Sequence, residues 1–382
     1  MHVAMSVIFQ NPRGPEFDDE SYAAEYAFGD LAEPLGFDSL WAPEHHFTDY
    51  AMCPNPLQFL TYFAGRTKRI RLGTMVNVLP WHNLVRLAED VAVLDHVSNG
   101  RYILGVGRGV AKVEFDRFRI DMNTTRQNLI EGVQALMMGL EKGYIDYHGE
   151  VIDQPHALIR PRPARSFKHR IYVSALSPAT YPLAGKLGLG LLFIPGSKPW
   201  NQVAGDLREY RNAFHQTHGV EAPKPIFAGW VFVDEDEKRA REMGHKYIGD
   251  YILSAGRHYE MAGDHMKGVK GYEHYAAMAE MRGQVTEEQG IDAFVGQHVW
   301  GTPEQCFEKI RETREQLDAA GFIAVTKYSS MPVDEAIRNV KLFATGVMPR
   351  VKALRPDLDI GVAPQPAGAR AAAVSAAQPA AK

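Results

Sequence analysis

The chain has 382 residues, is 45% hydrophobic and 23% charged, and carries a net charge of −4. This is a globular composition, with no electrostatic footprint for nucleic acid and no basic cluster for an anionic lipid surface. No apolar run approaches the roughly 20 residues that span a bilayer. The opening "MHVAMSVIFQNP" lacks the basic region and long apolar core of a signal peptide, and Cys53 and Cys306 are too few for a disulfide framework. A reducing cytoplasm is the expected setting.

Strands are predicted over Val3–Phe9, Ser39–Ala42, Ile70–Val76, Tyr102–Val106, Ile171–Ser174, Leu189–Ile194, Ile226–Val233 and Phe322–Lys327. Segments with helical spacing lie between them. Leu84, Leu87, Val91 and Leu94 form one such stripe, and "SNG" stops it. Strand followed by helix, repeated, predicts a parallel sheet with crossover helices. Eight repeats fit a closed (β/α)8 TIM barrel over residues 1–355, with an open doubly wound sheet as the alternative.

Two stretches stand outside the repeat. From about Ala255 to His298 the chain is polar and rich in Gly, Met and His. It falls between the seventh strand and the helix beginning at "GTPEQC", and it reads as an insertion forming a mobile lid. From Gly361 to Lys382 the chain is Ala/Pro-rich, cannot bury a core and is expected to be a disordered tail.

The segment "RYILGVGRGVAKVEFDRF" places Arg108 between Gly107 and Gly109, just after the fourth strand. A dinucleotide fingerprint would need a third glycine at 110, where the chain has Val110. Two readings remain open: a solvated turn, or a phosphate clamp. For the clamp, Arg108 lies at the C-terminal end of a barrel strand, where such barrels build their sites, and a guanidinium fork matches phosphate oxygens. Arg126, in "DMNTTRQNL", falls in the first turns of the next helix, and a helix N-terminus also favours an anion.

"LWAPEHHF" ends the second strand with Glu44, His45 and His46. Adjacent side chains of an extended segment point to opposite faces, so the two histidines do not share one ion. No metal-ligand spacing occurs in the chain, and no metal is expected. One histidine is expected at the barrel mouth, where structural and catalytic readings weigh about equally.

These residues carry a resemblance. "GFDSLWAPEHHFTDY", "RIRLGTMVNVLPWHNLVRLAEDVAVLDHVSNGRYILGVGRG", "DRFRIDMNTTR" and "GTPEQC" stand in the order found in bacterial luciferase and its relatives. The chain resembles the luciferase-like, flavin-dependent monooxygenases over residues 3–350, densely to residue 130 and more thinly beyond. The resemblance implies a TIM barrel with an insertion in the seventh βα unit. It implies reduced FMN that reacts with O2 to a C4a-peroxyflavin and inserts one oxygen into a hydrophobic organic substrate. His45 takes the place of the family's active-site histidine. Arg108 and Arg126 take the places that hold the FMN phosphate, and Ser177 and Thr180 match phosphate- and ribityl-side positions. Thr74 and Met75 fall where a non-proline cis peptide faces the flavin, and Glu44 and Val110 join the cofactor-binding set.

The chain departs from that pattern at Gly107, where the luciferase catalytic subunit has a cysteine, and at Leu176, where it has an acid. Light emission and the aldehyde substrate are therefore not carried over, and Gly107 is expected to leave room for a bulkier substrate. No NAD(P)H fingerprint is visible, so a separate NAD(P)H:flavin reductase is the expected partner. A homodimer is expected by resemblance. The alternatives are a deazaflavin-dependent oxidoreductase on the same fold, a flavin-binding protein without turnover, and a metal-dependent barrel hydrolase, which the missing ligand pattern disfavours.

Overall fold

A computed structural model of the protein describes residues 1–196 and 198–362. Eight parallel strands close into a barrel: β1 (His2–Ser6), β2 (Ser39–Ala42), β3 (Arg71–Thr74), β4 (Tyr102–Gly107), β5 (Ile171–Ser174), β6 (Gly190–Phe193), β7 (Ile226–Val233) and β8 (Gly321–Val325). Each pairs with the next, β8 pairs with β1 (Ala4 opposite Ile323), and Ile226 opposite Leu192 closes the β6–β7 seam. All eight fall within or beside the predicted strands, and the doubly wound alternative is excluded.

The barrel interior is a packed core. Ala4, Trp41, Ile103, Tyr172, Leu192, Ala228 and Ile323 fill it from seven strands. The eighth, β3, contributes Gly73, where a Cβ would lie 2.4 Å from the Trp41 ring. A second apolar layer joins the outer face of the strands to the surrounding helices. In the helix Leu84–Val97 the predicted stripe is buried at all four positions.

"GTPEQC" becomes the start of the helix Pro303–Leu317. Thr302 caps it by accepting from the Gln305 N–H, Gln305 returns the bond to the Thr302 N–H, and Pro303 supplies a preset first-turn φ. Thr302→Ala is expected to lower stability by about 1 kcal/mol, read as a shifted urea midpoint with an unchanged slope.

Three features go beyond the sequence reading. An antiparallel hairpin, Tyr144–His148 with Asp153–Leu158, follows the helix Thr125–Lys142. Of its first strand only Ile145 is fully buried, so the apolar signal is weak. The 255–298 insertion carries secondary structure of its own. It opens in the last turn of the helix Glu237–His258, carries the helices Glu273–Arg282 and Glu287–Val295, and returns through Val299–Gly301 to pair with β7. The barrel also extends past Arg355. Ile360 is 1% exposed inside the lower barrel, and the Gly361 N–H donates to the Tyr172 hydroxyl at 2.9 Å. Residues 363–382 of the expected tail lie outside the described residues. Among the described residues no helix is long and apolar enough to cross a membrane.

Candidate active site

The fourth and fifth strands are neighbours, with Val106 opposite Val173, so their C-terminal loops rise side by side. Arg108 leaves β4 beside Gly109, whose φ of +79° suits glycine. Its guanidinium is buried with the Tyr275 phenol beside it, and Nη1 and Nη2 make no close hydrogen bond among the described residues. It stacks 4.1 Å from the Tyr272 ring centroid.

Arg126, in the first turn of the helix Thr125–Lys142, donates from Nη2 to the Gly271 carbonyl at 3.0 Å. A Cβ built on Gly271 would lie 2.9 Å from Arg126 Nε and 3.1 Å from Arg108 Nη1, so the two arginines converge on one spot. The Tyr272 hydroxyl donates to the Gly109 carbonyl at 2.9 Å and pairs with Thr125 Oγ1 at 3.0 Å. Burial outweighs the nearby arginines and pushes this phenol up to about 12, so it stays neutral. The Glu273 carboxyl sits nearby. The Gly271 N–H and its own N–H hold it below the usual range, with Arg126 and Arg108 adding to the effect.

Ser177 Oγ and Thr180 Oγ1, both buried, pair at 2.9 Å where β5 turns into the helix Thr180–Leu187. Val110 is partly buried beside Gly109. Met75 and Val76 pack over the interior core as a floor for the mouth, and the peptide bond between them is cis. Thr74 is committed elsewhere: its hydroxyl meets Tyr102, the Gly105 N–H and Asn77, tying β3 to β4. The expected room at Gly107 is filled, since a Cβ there would lie 2.5 Å from Val76 Cγ2. Leu176, where the resemblance has an acid, is solvent-exposed at the same rim.

The two histidines part as expected, into separate networks. His46 Nε2 meets Glu44 at 3.3 Å, and His82 Nε2 meets the same carboxylate at 2.8 Å. The Val78 N–H donates to Glu44 at 2.7 Å. Burial alone would raise the Glu44 carboxyl, but these donors outweigh it and hold it below its ordinary value. Burial likewise disfavours charge on His82, and Glu44 overcomes it to raise the imidazole. Glu44 is thus a hub of the wall, bonded to His46, His82 and Val78.

His45 faces a different set. Its Nδ1 lies 3.2 Å from Glu114 Oε1 and 3.2 Å from His258 Nε2, and its Nε2 lies 3.2 Å from the Tyr259 hydroxyl. Tyr50 and Tyr251 extend the array with hydroxyls 2.5 Å apart. Burial, helped by His45, drives His258 down to about 2, so it is a neutral imidazole at physiological pH. Glu114, His258, Tyr259, Tyr272 and His82 escape the sequence reading. Glu114 follows Arg108 by six residues, a visible hint, but His258 and Tyr259 reach the cluster from the foot of the insertion, which only the fold reveals.

The model of the luciferase-like monooxygenase family matches residues 1–320. The chain belongs to that family. Among the relatives of this luciferase-like chain is the alkanal monooxygenase alpha chain of Photorhabdus luminescens, 28% identical over 334 residues that cover 85% of this chain and 90% of the relative. Three solved structures of the same fold each cover 92% of it. One is a monooxygenase from Streptomyces bottropensis (TM-score 0.75, 24% identity, 100% of that chain). Another is the oxygenating constituent of 3,6-diketocamphane monooxygenase from Pseudomonas putida, in complex with FMN (0.69, 18%, 98%). The third is the coenzyme F420-dependent tetrahydromethanopterin reductase of Methanopyrus kandleri (0.64, 19%, 99%).

Proposed function

We propose that the chain is the oxygenase component of a two-component monooxygenase that uses reduced FMN from a separate reductase. The observation that carries this reading is Arg108: a buried guanidinium with two nitrogens that make no close hydrogen bond among the described residues, beside a second arginine. A buried cation left unpaired is costly, and a phosphate dianion satisfies both arginines at once. Ser177 and Thr180 add hydroxyls from the adjacent strand end, and the apolar floor of Met75, Val76 and Ile194 suits a flat ring system and a hydrophobic substrate. The residues present therefore fit FMN.

Bound reduced flavin supplies two electrons for O2 chemistry, in which one oxygen atom enters the substrate and the other leaves as water. The protein binds the phosphate, shields the mouth with the insertion, and holds a movable proton at His45, whose Nε2 meets Tyr259 and whose Nδ1 meets Glu114. Oxygen uptake with chemically reduced FMN, read by mass spectrometry for a product gaining one oxygen, tests the reading. Uptake that yields only hydrogen peroxide across a broad substrate screen would favour a flavin carrier without turnover.

The F420-dependent neighbour supports a second reading, hydride transfer with a deazaflavin. The two arginines favour FMN because each can be satisfied by a terminal phosphate monoester. Parallel titration with FMN and coenzyme F420 separates the two.

The insertion is the lid of this reading. It docks on the phosphate cradle through Arg126 to Gly271 and Tyr272 to Gly109. Lys267 and Lys270 are exposed in turns, whereas Arg257 lies within a helix. Trypsin is expected to cut at the two lysines, and saturating FMN to slow the cut several-fold. Equal cleavage rates with and without FMN would remove the lid from the proposal.

A further inference from the structure

We propose that His45 Nδ1, His258 Nε2 and a carboxylate oxygen of Glu114 form a three-ligand site for a divalent transition metal of the zinc type. The inference goes beyond the flavin reading and does not depend on it. The three ligand atoms lie at edges of 3.2, 3.2 and 3.6 Å. Ligands about 2.0–2.1 Å from a tetrahedral zinc lie about 3.3 Å from one another. The triangle therefore has the size of one face of such a coordination shell, and the fourth position is left for water.

Two further observations point to a ligand. Glu114 is fully buried, yet its Oε2 has no hydrogen-bond partner among the described residues, so one oxygen of a buried carboxylate is unsatisfied. The second nitrogen of each imidazole meets a hydroxyl that can accept its N–H and fix the ring, the orienting role that outer partners play around metal-binding histidines. Thr48 Oγ1 holds His258 Nδ1 at 2.8 Å, the Tyr259 hydroxyl holds His45 Nε2 at 3.2 Å, and the His46 N–H steadies Glu114 at 2.8 Å. With both hydroxyls accepting, each imidazole turns a lone pair toward the carboxylate and toward the other ring. Three electron-rich atoms then converge, and a cation relieves their repulsion.

The set is invisible as a motif because its members are far apart in the chain. His45 follows β2, Glu114 lies in the helix Lys112–Phe118, and His258 ends the helix Glu237–His258. A metal here would pin the foot of the insertion to the barrel mouth and occupy the nitrogen of His45 that faces Glu114. Zinc would then act as a reversible inhibitor of any reaction that needs His45.

The test is titration of the untagged, chelator-stripped full chain with Zn2+ against a chromophoric competitor. The expected result is one Zn2+ per chain at micromolar affinity or tighter. His258→Ala and Glu114→Ala should each weaken it at least tenfold, whereas His82→Ala, in the neighbouring Glu44 network, should leave it unchanged. Co2+ in place of Zn2+ should give the intense visible bands of a four-coordinate ion. Saturating Zn2+ should raise the melting temperature of the wild-type chain, a reading that needs no variant to fold. No stoichiometric binding, no melting shift, or equal binding by wild type and His258→Ala overturns the proposal.

Discussion

His45→Ala is expected to lower the rate of product formation by about 10²–10⁴-fold, the usual loss for a general acid–base group. The side chain is placed for that work. It is partly exposed, with one nitrogen against Tyr259 and the other against Glu114, so a proton arriving at one nitrogen can be balanced at the other. The proposed phosphate clamp is built from other loops, and FMN affinity should therefore stay within about twofold. More hydrogen peroxide should be released per flavin oxidised, because oxygen activation would continue without transfer to substrate. His46→Ala should be milder, since its ring meets Glu44, Trp81 and Phe118 rather than Glu114. Uncoupling by His46→Ala and not by His45→Ala would reverse the assignment.

Arg108→Ala should weaken FMN binding by roughly 10–100-fold, from charge-assisted bonds worth about 1.5–3 kcal/mol. Riboflavin, which lacks the phosphate, is the decisive control and should bind the variant as it binds the wild type. Arg108→Lys should recover only part of the loss, because an ammonium is a point charge and not a fork. The variant also loses the stacking on Tyr272, so a melting curve must accompany the titration. Equal loss for FMN and riboflavin would make Arg108 a prop for the insertion and not a phosphate ligand.

The barrel was legible in the sequence because parallel strands buried on both faces read as short continuous apolar runs, and all eight were visible. The convergence of Arg108 and Arg126 was legible because both follow the end of one barrel strand, which sequence order can count. The interiors of networks were not. Glu44 and Thr74 are placed beside the flavin by resemblance, and the partners that hold their polar atoms, Val78, His82, Tyr102 and Gly105, come from elements that no local pattern connects to them. Gly107 looked like open space, but a backbone turn elsewhere brings Val76 into it. The lower edge of the barrel was missed for a similar reason. Ile360 lies in the short alternating stretch "DLDIGV", too brief to signal a strand or helix, so its burial depends on contacts with Gly321 and the barrel interior that no local pattern announces.

That lower edge has a practical consequence. Met1 reaches the Val351 carbonyl, His2 meets Asp359, and Ile360 lies beside Gly321, so the first residue and residue 360 sit together at the N-terminal ends of the strands. Arg108, Arg126, His45 and His46 sit at the opposite ends. A protein immobilised through a group attached at Val362 would therefore present the candidate site outward, away from the support. Cutting the chain back to Arg355 would instead open the barrel floor and strip Ile360 from its core.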